Sequence, residues 1–187
     1  MPTPFQVQIA NSTAHRPIRD VLSGLVFNDP ALLPELMAMA VDTADKNHHK
    51  ACWTLELVME AHIDWLTPYH NHFCPTLAQY SHEGALRSVA KICMFAAGYN
   101  QKHAGFLNAN QLTQITEACF DWLINPNGKV ATKAYAMRAL FIIGKKEEWI
   151  YPELQRILSE DFIKHSPAYK AAAKELLLKL QSGRVAK

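Results

Sequence analysis

The feature that most limits what this chain can fold into is a helical pattern that occurs four times. Lys50, Arg87, Lys133 and Lys170 stand 37, 46 and 37 residues apart. Counted from each of them, the third residue onward is Trp53, Ala90, Ala136 and Ala173. The seventh is Leu57, Met94, Leu140 and Leu177, and the eighth is Val58, Phe95, Phe141 and Leu178. Offsets of three, seven and eight share one face of an α-helix. Alanine at three of the four third positions lets neighbouring helices approach closely. A second apolar segment precedes each of these helices, and three of the four carry a small motif: Pro34-Glu35-Leu36, Pro75-Thr76-Leu77 and Pro152-Glu153-Leu154. One such helix pair cannot bury its apolar face alone, whereas a stack of pairs makes a continuous core.

The periodicity predicts helix pairs at about 30–64, 69–97, 111–143 and 147–181. A preceding helix from Pro17 to Phe27, with Ile18, Val21, Leu22 and Leu25 on one face, caps one end of the stack. Residues 1–15 read as an extended arm, because Phe5-Gln6-Val7-Gln8-Ile9 alternates apolar and polar residues. Residues 16–187 then form a single repeat domain. The middle interval of 46 is longer by nine, and a polar loop from Gly98 to Asn110 accounts for the excess. Asn125-Pro126-Asn127-Gly128 is a turn, and Ser166-Pro167 caps and opens the last helix. Ser182-Gly183 supplies its stop.

Apolar residues make up 49% of the 187 positions and charged residues 19%, a balance that builds a core and excludes disorder. No apolar run nears the roughly 20 residues that cross a bilayer, so no membrane role is expected. The N-terminus lacks the basic flank and apolar block of a signal peptide. Cys52, Cys74, Cys93 and Cys119 lie apart in apolar segments without a CxxC spacing. They are expected to be reduced core thiols of a cytoplasmic protein. Net charge is only +2, but residues 1–128 carry −4 and residues 129–187 carry +6. That polarity suggests an acidic partner at the C-terminal end or head-to-tail self-association.

Pro-x-Leu in a first helix, then a basic residue and alanine in a second helix that closes on apolar residues and glycine, resembles the HEAT repeat. Phe73-Cys74-Pro75-Thr76-Leu77 with Leu86-Arg87-Ser88-Val89-Ala90 is the nearest match, and Gly98 and Gly144 stand where that family often ends its second helix. The resemblance covers about residues 30–181 and implies an all-α, right-handed α-solenoid (α-α superhelix) of about four HEAT-like pairs. It also implies that the second helices line the concave face. HEAT repeats often carry an acid ahead of the basic residue; Asp45 and Glu83 fill that place in the first two pairs, and no acid does in the last two.

The expected function is that of a non-catalytic protein-interaction or scaffold module. Its candidate contacts are the repeated basic residues Lys50, Arg87, Lys133 and Lys170, the second row Lys91 and Lys174, and Tyr99 and Lys102 in the long loop. The competing reading of the basic column is structural, with each residue capping the helix before it or laying its stem over the core. A second functional expectation follows from Asp64-Trp65 and Asp121-Trp122, because HEAT-like DNA glycosylases that excise alkylated bases use Asp and Trp in a cleft. No catalytic residue carries over from them. Among the nine histidines, His70-x-His72 with His62 and His82 is the best cluster, but positions i and i+2 diverge on a helix. No metal or other cofactor is expected. Phosphate-loop, GxSxG, HExxH and dinucleotide fingerprints are all missing.

Overall fold

A computed structural model describes residues 1–182. Those residues form ten α-helices joined by turns and three short 3-10 segments, and no strand occurs among them. The helices are α1 (Pro4–Ala10), α2 (Arg16–Asn28), α3 (Leu33–Val41), α4 (His48–Ala61), α5 (His70–Thr76), α6 (Glu83–Lys102), α7 (Ala109–Ile124), α8 (Val130–Ile143), α9 (Ile150–Asp161) and α10 (Pro167–Gln181). The chain divides into two compact units, Met1–Ile92 and Cys93–Lys187, and the boundary falls inside α6.

In the first unit, α4 is the central element, with α1, α2 and α3 packed against it. Nearly all of α4 is buried: Ala51, Cys52, Leu55, Val58 and Met59 are each fully covered. In the second unit, α8 packs on α7, α9 and α10. There Ala136 and Ala173 are fully buried, as Ala90 is in the first unit, so all three alanines among the four third positions lie at close helix packing. The leucines of the Pro-x-Leu motif, Leu36, Leu77 and Leu154, are all core residues. Pro34 and Pro152 stand in the first turn of their helices, but Pro75 lies near the end of α5, where the α-helix gives way to a 3-10 turn at Leu77–Gln79.

The N-terminal segment corrects the reading of an extended arm, because residues 4–10 are helical. Thr3 and Gln6 form a capping box: the Gln6 amide donates to Thr3 Oγ1 at 3.1 Å and the Thr3 amide donates to Gln6 Oε1 at 3.0 Å, with Pro4 opening the helix. Phe5 and Ile9 stand four apart and are buried, while Val7 between them is 43% exposed. A short helix puts its i and i+4 residues inward just as well as a strand alternates.

The loop expected from Gly98 is shorter than its composition suggests. Helix α6 runs on to Lys102, and only residues 103–108 connect it to α7. Asn100, a buried side chain, accepts the Leu107 amide at 2.9 Å and so closes the connection onto the helix end. Tyr99 stacks on His103 with ring centroids 3.9 Å apart.

The two glycines of the repeat frame have different causes. A Cβ on Gly98 would meet nothing within 4 Å, whereas one on Gly144 would press into the Tyr151 ring, 2.6 Å from Cδ1 and 3.0 Å from Cζ. The Tyr151 hydroxyl donates to the Phe141 carbonyl at 3.2 Å, which holds the ring there. Gly144→Ala should therefore destabilise by about 1–3 kcal/mol through overpacking. Gly98→Ala, inside a helix and unobstructed, should stabilise by about 0.5–1 kcal/mol. Chemical denaturation of the two variants reads both signs; equal effects would show that the ring is not held against Gly144.

Candidate functional site

Glu56 is the one carboxylate sunk in the core of the first unit, with its side chain 1% exposed. It lies on α4, and the neighbouring helices answer it. From α2, Arg19 Nη2 comes to 3.2 Å of the carboxylate. From α6, Ser88 Oγ donates to Oε2 at 2.7 Å, Lys91 Nζ stands 3.2 Å from Oε1, and Arg87 Nη1 stands 3.7 Å from Oε2. Lys91 also reaches Glu60 at 3.0 Å, and Arg19 donates from Nε and Nη2 to the Trp53 carbonyl at 3.1 and 2.9 Å. Burial alone would push the Glu56 carboxyl up, but the Ser88 hydroxyl and the three cations outweigh it and hold the group below its usual value. Burial likewise works against the Lys91 ammonium, and Glu60 and Glu56 hold it above its usual value.

The cluster holds three cations against two carboxylates, so one positive charge is left over. Its exposed outlets are Arg87, 42% open, and Glu60, 44% open, while the Lys91 side chain is only 14% exposed. Arg19 and Glu56 themselves are closed off from any ligand.

The other predicted contacts do not form one free basic stripe. Lys50 donates its ammonium to the Ala10 carbonyl and thereby caps the end of α1. Lys133 is 1% exposed, which removes it from any partner surface. An ideal Cβ on Gly128 would lie 3.4 Å from Lys133 Cε and 3.3 Å from the carbonyl oxygens of Trp122 and Asn125. The lysine stem is thus packed beside the carboxyl end of α7, where the helix dipole favours a cation. Burial holds this ammonium below its usual value, and the field of Asp161 only partly opposes that. In the second unit Lys170 is half-buried, Lys174 and Lys102 are exposed, and Tyr99 is half-buried against His103 and Phe106.

The histidines gather in a different place from the predicted one. His70 is buried on α5 and His72 is exposed, while His62 stacks on Trp65 at 4.4 Å. The group that does assemble is His48, His49 and His82, with His49 stacked on His82 at 3.8 Å and Trp53 edge-on to His49 at 5.0 Å. Burial, then the nearby His82, His48 and Lys50, lowers the proton affinity of His49. No three His, Cys, Asp or Glu side chains among the described residues are arranged to hold a metal ion. Of the two Asp-Trp pairs, Asp64 and Asp121 are exposed, but Trp122 is a core residue only 7% exposed.

The four cysteines are buried and unpaired with one another, and burial pushes the Cys52 and Cys74 thiols up to about 12. No helix among the described residues is long and apolar enough to cross a membrane.

Stacked helix pairs built on repeated apolar positions define an α-helical repeat protein. The HEAT repeat domain family matches residues 5–180, and the chain belongs to that family. No curated protein and no solved structure matches it.

Proposed function

We propose that this chain is a protein-interaction scaffold, and that its first unit holds an acidic segment of a partner protein on the face shared by α4 and α6. Membership of the HEAT family supports the scaffold role. The observation that carries the choice of face is the half-exposed Arg87 guanidinium above a buried cluster with more cations than carboxylates. Glu56 lies 3.7 Å from Arg87 and shares its charge with two other cations, so Arg87 keeps donors for an incoming carboxylate. In this reading α4 and α6 are second helices of their pairs, and the half-buried Lys170 and the exposed Lys174 and Lys102 are separate candidate contacts on the second unit.

The test is recovery of bound proteins from lysate by wild type and by Arg87→Gln, each treated with nuclease, with circular dichroism showing both to be folded. The proposal expects a protein that survives nuclease and falls at least tenfold in the variant. Equal recovery by the folded variant would remove Arg87 and its face from the account. Bound material lost on nuclease treatment would favour a nucleic-acid-acting protein resembling the alkylated-base glycosylases, and its binding would weaken steeply with salt.

A further inference from the structure

The second unit carries a cleft that neither the repeat pattern nor the basic column explains. It holds about 220 Å³ beside α7 and the turn into α9. Its aromatic wall is Phe120 and Trp149, stacked with centroids 5.9 Å apart and ring planes 26° from parallel. Trp149, at the start of α9, is 59% exposed, so its ring face is open to a ligand.

The charged lining is of one sign. Glu117 and Glu147 are exposed carboxylates with no ion pair to any described residue. Thr113 and Thr116 also line the cleft, but both hydroxyl protons are already committed: Thr113 Oγ1 donates to the Ala109 carbonyl at 3.0 Å and Thr116 Oγ1 donates to the Leu112 carbonyl at 2.8 Å. What remains to a ligand is two charged acceptors against two aromatic faces, with the Trp149 indole N–H as the side-chain donor. An anion would meet two carboxylates and at most one indole N–H, and a neutral apolar group leaves both carboxylates unanswered. A planar cation that stacks and donates answers both carboxylates and both rings at once.

We infer that this cleft is a binding site for an arginine side chain of a partner protein, with the guanidinium stacked on Trp149 and Phe120 and donating to Glu117 and Glu147. Arginine fits better than lysine because its planar fork both stacks on rings and pairs with carboxylates. The site is independent of the Arg87 face and would stand if that reading failed. It also gives this scaffold a way to tell partners apart, since a segment lacking arginine leaves the carboxylates without donors.

The experiment uses the full chain and Nα-acetyl-argininamide as the probe, read by the indole N–H resonance of Trp149, which is assigned through Trp149→Ala. Nα-acetyl-norleucinamide is the uncharged control and tetramethylammonium the cation without donors. A saturable shift with the arginine probe, at least tenfold weaker in the Glu117→Gln/Glu147→Gln double variant and absent with norleucinamide, is expected. Both carboxylates are exposed, so the double variant should keep the fold, which its other amide resonances report. Equal shifts from norleucinamide would reduce the cleft to an apolar patch. A shift from tetramethylammonium alone, or an arginine shift unchanged in the double variant, would overturn the assignment of donors and acceptors. No shift with any probe would overturn the site.

Discussion

Glu56→Gln is expected to lower the stability of this protein by about 3 kcal/mol, roughly 6–12 °C in melting temperature for a chain of this length. The glutamine amide still accepts from Ser88, but Arg19 and Lys91 lose the carboxylate that offsets their burial. The cost stays at the lower end of what breaking a buried ion pair brings, because Arg19 keeps the Trp53 carbonyl and Lys91 keeps Glu60. The pH dependence has a definite sign. Folding holds the Glu56 carboxyl below its usual value, so its stabilisation is complete above the unfolded value of about 4.3 and is lost as pH falls through the lower folded value. The gap between wild type and Glu56→Gln should be full at pH 7 and narrow below about pH 4. Urea melts of both proteins across that range check it; a gap independent of pH would mean that charge is not what the substitution removes.

Lys133→Glu should cost more, about 3–5 kcal/mol, and Lys133→Met should do the reverse and stabilise. The glutamate would place a carboxylate in a buried site beside the negative end of α7, among the Trp122 and Asn125 carbonyls. Methionine keeps the packed stem and removes a cation that burial disfavours. The folded proton affinity is again lowered, so stability again rises with pH, but here the charged form destabilises the fold where the Glu56 carboxylate stabilises it. The ammonium binds its proton less tightly folded than unfolded, so its drag on stability is full at neutral pH and is relieved as pH rises toward the unfolded value of about 10.4. Lys133→Met should thus exceed wild type at pH 7 by a margin that shrinks by pH 9.5, read as the difference in urea midpoints. A methionine variant less stable than wild type at pH 7 would show that the carbonyls of α7 more than offset the desolvation of the ammonium.

These two residues also show where the sequence stopped being informative. Helix periodicity is enough for the all-α class and the alanine packing positions Ala90, Ala136 and Ala173, because which residues share a helix face is set by spacing within that helix. It could not separate Arg87 from Lys133, which hold the same repeat position yet are half-exposed and closed off. That difference is set by what the adjoining helices bring: Glu56 beside one, the end of α7 beside the other. Likewise Arg19, Glu56 and Lys91 are more than thirty residues apart, and His49 meets His82 across a similar distance, so no local spacing announces either cluster. The α1 helix does carry a local signal. Thr3-Pro4-Phe5-Gln6 is a capping box with proline at the first helical position, a stronger signal than the alternation of Phe5, Val7 and Ile9. The Glu117–Trp149 cleft had no sequence signature at all, since a turn between two helices brings it together.

The central claim is that a partner protein sits on the α4 and α6 face of the first unit. Hydrogen–deuterium exchange of the chain with and without its captured partner tests that most directly. Protection is expected in the solvent-accessible turns bordering the Glu56–Arg87 cluster, with loss of that protection in Arg87→Gln. Protection confined to α3 and α5, unchanged by Arg87→Gln, would contradict it.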